Sequence, residues 1–396
     1  MQQQTPFKAA LLNTLKTLVA PTQQRTQPIL SSHNNSPQGY SMAFPTALPD
    51  SPETPHNTDT ASTIDTRRAH GQFYTTYNPF NLDPFHRWLK SIPDYKTTTI
   101  LEPFAGANNI VQMVEDLGYT NHWDCFDIDP ESQDDNSTAY PVIQRDTLSN
   151  YPTDYSIAIT NPPYLAKNSA SRRNLPFPTT HFEDLYQLAL HTMLTHTPYV
   201  AAIIPESFIT QNLFHNLLYA IISLPCKMFE NTEVPVCLAL FTPSTQQSTP
   251  NDFQLWSSNK LLGNYSTLKN LIVPSPHSLP WTFNDPQGHI TLYAVDSQKG
   301  PTIRFALSST EKNLPTIKHS SRSITRISST VPSSLLPCLV KEANALLATM
   351  RSQTSDAFLT SFKGLRHDGQ YRRRLDFAQA RNILNTCAHP LLNPTT

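Results

Sequence analysis

Four consecutive residues, Asn161-Pro162-Pro163-Tyr164, carry the most specific chemistry in the sequence. The amino group of adenine is a poor nucleophile because its lone pair is delocalised into the ring. Two acceptors aimed at its two hydrogens pull the nitrogen towards tetrahedral geometry and free that pair. This is preorganised electrostatics rather than general-base catalysis. The Asn161 side-chain oxygen and the Pro162 carbonyl can be those acceptors. Pro163 stiffens the backbone and removes a competing N–H donor. Tyr164 offers a flat ring on which a base can stack. The plainer alternative is a turn, since Asn-Pro starts turns readily.

A second run has the features of a nucleotide cradle. Leu101-Glu102-Pro103-Phe104-Ala105-Gly106-Ala107-Asn108-Asn109-Ile110 follows an apolar run and opens a helical pattern. Gly106 lets the backbone approach a ligand, and a helix N-terminus offers free N–H groups. Glu102 can meet a cation there. Asp127 follows Gly106 by 21 positions, at the end of the next apolar run. In nucleotide-binding folds that is the place for a carboxylate gripping ribose hydroxyls. One glycine stands where G-x-G is usual, and Asn108 takes the second place. Asn tolerates left-handed geometry better than most residues, so the turn survives. An ordinary strand–helix turn would read the same way in isolation.

These residues need a scaffold, and the pattern from Arg67 to Pro243 supplies one. Short apolar runs predict strands at Thr98–Leu101, Trp123–Ile128, Tyr155–Thr160, Tyr199–Ile204 and Val236–Phe241. Helical stretches lie between them at Asn109–Leu117, Phe182–His196 and Ser207–Leu224. Strands alternating with helices predict an α/β fold, a parallel sheet with helices on both faces. Asn161 then sits at the C-terminal end of a strand, the edge where open α/β sheets bind ligands. After Ser244 the periodicity weakens, and two more helices are expected at Leu335–Arg351 and Leu375–Leu384.

With these elements in this order, the segment from Arg67 to Pro243 resembles the S-adenosylmethionine-dependent N6-adenine DNA methyltransferases of bacterial restriction–modification systems, in the motif order called the gamma group. The resemblance implies S-adenosyl-L-methionine as cofactor and Asn161, Pro162, Pro163 and Tyr164 as the catalytic motif. Gly71-Gln72-Phe73-Tyr74-Thr75 is similar to a motif ahead of the glycine loop, in which Thr75 helps hold the methionine carboxylate. Glu102 and Gly106 match the loop at the methionine end. Asp127 matches the ribose-binding acid, Ile128 packs on the cofactor's adenine, and Asp146 accepts from that adenine's amine. Phe182 to Leu185 and Ile203 to Phe208 are similar to later family motifs. Phe229 matches the aromatic that, with Tyr164, contacts a flipped target base.

The implied fold is a Rossmann-like, seven-stranded, mostly parallel sheet with one reversed strand. The reversed hairpin is expected near Ser223–Phe241. A C-terminal mixed α+β target-recognition domain follows. The resemblance also implies double-stranded DNA as substrate, base flipping, and a cognate restriction endonuclease acting on the same site as a further partner. No metal is implied.

Composition agrees with that division. The chain has 396 residues, 38% hydrophobic and 15% charged, with 35 Pro against 9 Gly, which excludes a collagen-like chain. Residues 1–66 are Ser/Thr/Pro/Gln-rich apart from one apolar-periodic stretch, Phe7 to Ala20, and are expected to form a disordered arm. The lack of acids before Asp50 also fits an organelle transit peptide. Residues 67–244 would be the methyltransferase core and 245–396 a basic DNA-reading domain. Net charge is −1, yet residues 245–396 hold 7 Lys and 9 Arg against 6 Asp and 2 Glu, a net of +8. That asymmetry suggests a polyanion partner on one side. The candidate contacts are Lys318, Arg322, Arg326, Arg366, Arg372, Arg373 and Arg374. The five Cys are scattered and never spaced C-x-x-C, which suits a reducing compartment and argues against a Cys-based zinc site. No apolar run reaches the ~20 residues of a membrane helix. A bacterial cytoplasmic, nucleoid-associated protein is expected.

Three alternatives stay open at this point. RNA and protein-glutamine N-methyltransferases use the same tetrapeptide, because planar amide and amine nitrogens need the same activation. Cytosine-N4 enzymes are close relatives in chemistry. A DNA-binding module that keeps the fold without turnover is the reading from another class.

Overall fold

The computed structural model describes residues 77–130, 138–224, 227–228, 234–246, 252–272, 275, 277–311 and 321–393. The expected arm, the Gly71–Thr75 motif, Phe229 and Lys318 lie outside them.

A nine-stranded sheet organises the N-terminal two thirds. Its strands are β1 (Ile100–Glu102), β2 (Trp123–Asp127), β3 (Val142–Gln144), β4 (Ile157–Thr160), β5 (Tyr199–Pro205), β6 (Leu218–Ser223), β7 (Val236–Phe241), β8 (Gln254–Ser257) and β9 (Lys260–Asn264). They run in the order β3-β2-β1-β4-β5-β7-β6-β8-β9. The first five pair in parallel, while β7 runs against both β5 and β6. The fold is therefore α/β and Rossmann-like, with one reversed strand within its first seven.

The central strands β4, β5 and β7 are buried along nearly their whole length. Alternate residues feed two hydrophobic clusters, one per face. Ile157, Ile159, Ala201, Ile203 and Leu238 pack with Phe85 and Trp88. Ala158, Val200, Ala202, Ile204 and Ala239 pack with Tyr186, Leu190 and Phe208. Burial on both faces is why these strands read as continuous apolar runs.

The helices are α1 (Asp83–Lys90), α2 (Asn109–Glu115), α3 (Lys167–Arg172), α4 (Leu185–His196) and the one-turn α5 (Tyr265–Leu268). A capping box starts α4: the Asp184 side chain accepts from the first turn while the Gln187 side chain accepts from Asp184 N. Such a cap stabilises a helix by about 1 kcal/mol.

Three expectations need correction. Ser207–Leu224 is not a helix but two 3₁₀ turns, Glu206–Thr210 and His215–Leu217, followed by β6. Phe214 at φ 56° breaks any continuous helix, and β6 is held on both sides by β7 and β8. An apolar run of that length does not distinguish strand from buried helix by itself. The reversed hairpin accordingly begins at Leu218 rather than near Ser223. The boundary at 244/245 also moves, because residues 254–264 add β8 and β9 to the same sheet.

The C-terminal unit is α+β. Strands β10 (Trp281–Phe283), β11 (Ile290–Tyr293), β12 (Arg304–Leu307) and β13 (Ile324–Ser329) form an antiparallel sheet in the order β10-β13-β11-β12. Helices α6 (Leu336–Thr354) and α7 (Phe377–Leu392) pack on it through Leu339, Ala343, Leu347, Ile383 and Leu384. Between them runs a two-stranded ribbon, β14 (Thr360–Leu365) and β15 (Tyr371–Arg374). Gly288 has no room for a side chain: a Cβ there would lie 2.5 Å from Ile327 N.

Candidate active site

Four neighbouring strand ends carry the predicted polar residues. β1 ends on Glu102, β2 on Asp127, β3 runs into Asp146, and β4 into Asn161. The chain passes from β1 outwards to β3 and then returns to the other side of β1 at β4. Such a reversal opens a crevice at the carboxyl ends of the strands.

Glu102 and Thr160 close the floor of that crevice. The Thr160 hydroxyl donates to Glu102 Oε1 at 2.5 Å, and Phe104 N donates to the same oxygen at 3.0 Å. Glu102 Oε2 is buried and has no partner among the described residues. Burial pushes the Glu102 carboxyl up to about 8, against the pull of the Thr160 and Phe104 hydrogen bonds. A buried carboxyl with one oxygen unanswered is costly unless a further partner meets it.

The glycine loop is held by the acid expected to face ribose. Gly106 N donates to Asp127 Oδ2 and Asp129 N to Asp127 Oδ1, both at 2.9 Å. Burial raises the Asp127 carboxyl, partly offset by these backbone donors. Gly106 sits at φ 52° and Asn108 at φ 60°. Asn108 thus takes the left-handed geometry its type allows. Its Nδ2 donates to Thr138 Oγ1 and Tyr140 O, both at 2.9 Å. That makes it a buried link between α2 and the approach to β3.

Asp146 stands half-buried just after β3, and its carboxylate has no hydrogen-bond partner among the described residues. The neighbouring Thr147 hydroxyl, buried, donates to Pro103 O at 2.8 Å. This ties the Asp146 turn to the Glu102 loop. Ile128 is half-buried against the small cluster of Leu165, Ala170 and Leu185.

The tetrapeptide leaves β4 without regular structure. Asn161 is half-buried and Pro162 buried. The Tyr164 hydroxyl oxygen lies 2.6 Å from both Asn161 Oδ1 and Ile203 O, the latter on β5. The Tyr164 ring is half-buried where the two hydrophobic clusters meet, edge-on to Tyr186 at 6.3 Å between centroids. Burial pushes its phenol well above the usual range, so it stays protonated. Leu165 N donates to Asp184 Oδ1 at 2.9 Å, so the α4 cap also fixes the chain just beyond the motif.

The basic candidates divide into two groups. Arg322 is exposed, and Arg374 half-buried. Arg326 is half-buried and donates from Nη1 to Pro286 O at 2.6 Å. Arg372 donates from Nε to Asp296 O at 2.7 Å and lies over the Phe362 ring. Arg366 and Arg373 are not available to DNA phosphates. Arg373 is 3% exposed and grips the buried Glu206 with both guanidinium prongs. Arg366 is 8% exposed and donates to both Asp368 oxygens.

Arg366 also borders a compact charge cluster around Asp296 and Arg351. Burial alone would raise the fully buried Asp296 carboxyl, but the Arg351 fork, donating at 2.8 and 3.0 Å, holds it below the ordinary range. Asp356 accepts two further bonds from Arg351, from Nε and Nη2.

Three positioning residues escaped sequence reasoning. Thr160 had a signal, a polar side chain closing an apolar strand directly before Asn161. Glu206 follows β5 as Thr160 closes β4, but its partner lies 167 positions away. Asp184 could have been found from the capping-box spacing to Gln187.

No protein-family profile and no curated protein matches the chain. Solved structures do. A protein from Listeria monocytogenes, provisionally designated a class I S-adenosylmethionine-dependent methyltransferase, aligns at 15% identity and TM-score 0.34, over 50% of this chain and 72% of its own. A type I restriction–modification methyltransferase subunit from Streptococcus thermophilus aligns at 13% and 0.33, over 49% of this chain and 50% of that one. The modification subunit of a provisionally assigned type I restriction enzyme from Vibrio vulnificus aligns at 14% and 0.32, over 55% and 51%. The chain thus spans about half the length of the latter two.

Among the described residues, no group of three or more His, Cys, Asp or Glu is placed to hold a metal, and no helix is long and apolar enough to cross a membrane.

Proposed function

We propose that the chain is an S-adenosylmethionine-dependent methyltransferase acting on the N6 amine of adenine in double-stranded DNA. The observation that carries this reading is the Thr160–Glu102 hydrogen bond, which joins the acceptor motif after β4 to the acidic cradle after β1. Acceptor site and cradle are then neighbours across the crevice.

The cradle suits the cofactor. Glu102 Oε2 would take a cationic group at the methionine end. Asp127 would hold the ribose hydroxyls, and Asp146 would accept from the adenine amine of the cofactor. Thr75 would add a contact to the methionine carboxylate. When bound, the sulfonium supplies an electrophilic methyl group and a neutral leaving group. The chain's own part is to bind, orient and polarise. Asn161 and Pro162 accept from the target amine and free its lone pair. Tyr164 and Phe229 would flank the base, which must leave the duplex to reach the site. Proximity supplies much of the remaining acceleration. The surplus proton passes to water.

The C-terminal unit would track the duplex through Lys318, Arg322, Arg326, Arg372 and Arg374. The ribbon β14–β15 docks through Arg373 on Glu206, directly after β5, beside the strand that leads into Asn161. DNA-facing and acceptor elements would therefore share one edge. A companion restriction endonuclease of the same specificity, in a bacterial cytoplasm, completes the reading.

The test is nucleoside mass spectrometry after incubation with labelled S-adenosylmethionine and plasmid DNA, structured RNA or a release factor. N6-methyladenine in the plasmid is the expected product. Label in RNA or in a protein glutamine would replace this substrate assignment. Donor binding without transfer to any of the three would favour the non-catalytic module.

A further inference from the structure

The two contacts of the Tyr164 hydroxyl do not fit together as a pair of donated bonds. A phenol has one proton and can give it to one acceptor. Here Asn161 Oδ1 and the Ile203 carbonyl oxygen both lie at 2.6 Å. With two acceptors and one proton, one of the two O···O contacts has no hydrogen in it and is repulsive at that distance. The Ile203 carbonyl can only accept, so it takes the proton. Asn161 is the partner that can change, because its amide carries an acceptor at one end and two donors at the other, with nearly identical shape.

We propose that Asn161 presents its Nδ2 to the Tyr164 oxygen and its Oδ1 to the open edge of the sheet, and that the Tyr164 hydroxyl is the positioning group that fixes this orientation. The chain of bonds then runs in one direction. The Asn161 amide donates to the Tyr164 oxygen, and the Tyr164 hydroxyl donates to Ile203 on β5. Each group keeps its normal valence.

The rest of the site agrees. The end of the Asn161 amide away from Tyr164 makes no hydrogen bond among the described residues, and Asn161 is half-buried, so this end has a free side. In the other orientation the only side-chain acceptor of the motif would be spent on Tyr164. The free side would then offer N–H groups to an amine that itself needs acceptors. Ile203 is a firm anchor: it is buried on β5 and paired with Leu238 of β7, one residue beyond the last β4–β5 pair, Thr160↔Ala202. Tyr164 thus relays the rigidity of β5 to a side chain in the unstructured turn after β4.

The inference rests on the methyl-transfer reading for its consequence but not for its geometry, and the two are tested apart. Tyr164→Phe keeps the ring and removes the hydroxyl. In ¹⁵N-edited spectra of the full chain, the Asn161 side-chain amide protons are expected to exchange with solvent at least about tenfold faster in Tyr164→Phe, as a lost hydrogen bond dictates. Unchanged exchange overturns the proposal, whether or not the protein methylates anything.

In the transfer assay, Tyr164→Phe is expected to lower kcat roughly tenfold or more, with KM for DNA within about twofold, because the acceptor loses its fixed direction. In an Asn161→Ala background the same change is expected to alter kcat by less than about twofold, since nothing is left to orient. An equal fall in both backgrounds would assign the Tyr164 hydroxyl to folding rather than to orienting Asn161 and overturn the positioning role. A protein that shows the exchange change yet transfers no methyl group overturns the functional reading instead.

Discussion

Arg373 and Glu206 form a two-pronged ion pair that is buried at both ends, 3% and 2% exposed, across 167 positions of sequence. Arg373 belongs to the ribbon of the C-terminal unit, and Glu206 follows the central strand β5. Ser223 donates to Glu206 Oε1 at 2.6 Å and completes its shell. Removing one partner of such a pair strands a buried charge and costs about 3–5 kcal/mol. Arg373→Met is therefore expected to lose stability on that scale in urea unfolding. Arg373→Met with Glu206→Leu is expected to recover most of it. A single variant within about 1 kcal/mol of the parent would show that the pair does not hold the two units together.

Glu102 makes stability depend on pH. Its folded carboxyl titrates near 8, above the ordinary value of 4.5, because burial disfavours the charge. Stability from this group is full below 4.5 and is lost as pH rises towards 8, by at most about 1.4 kcal/mol per pH unit. Glu102→Gln is expected to flatten that fall between pH 5 and 8. A parent protein whose urea midpoint does not change over this window contradicts the assignment.

The same carboxyl predicts a proton balance on binding. A cationic ligand favours the ionised form, so its capture should release a proton below pH 8. Calorimetry in buffers of different ionisation heat measures this directly. S-adenosylmethionine affinity is expected to rise with pH up to about 8 and then level off.

Asn161→Ala removes the side-chain acceptor and leaves the cradle untouched. Transfer is expected to fall by about 10² or more, while donor affinity changes by less than about twofold. Near-normal turnover in this variant would end the acceptor role.

Arg322 and Arg374 are expected to touch phosphate, each contributing about one unit to the slope of log affinity against log salt. Their Ala variants should lower that slope with unchanged stability. Arg366→Ala is expected to do the reverse, because its guanidinium is committed to Asp368 and the Asp296–Arg351 cluster. A stable Arg366→Ala with a reduced slope would restore it to the DNA-facing set.

The strands most visible in the sequence were those buried on both faces, since Ile157–Thr160, Tyr199–Pro205 and Val236–Phe241 leave apolar runs that nothing else explains. Each also marks the polar residue that follows it, and that is how Asn161 could be placed at a strand end. The edge strand β3 leaves no such run, because Val142–Gln144 is largely exposed. Leu218–Ser223 suits a helix as well as a strand until its neighbours β7 and β8 are known. The largest misreading, that of Arg366 and Arg373, has a related cause. An Arg-rich run looks the same whether it faces water or a carboxylate: Glu206, the partner of Arg373, lies 167 positions away, and Asp368 beside Arg366 reads as one more surface acid.

The Gly106–Asp127 and Asn108–Tyr140 bonds brace the cradle with the chain's own groups. Such internal bracing keeps the receptacle stiff and leaves most of the ordering entropy of binding to the incoming molecule. Association should then resemble a key entering a cut lock, with little slow rearrangement trailing the encounter.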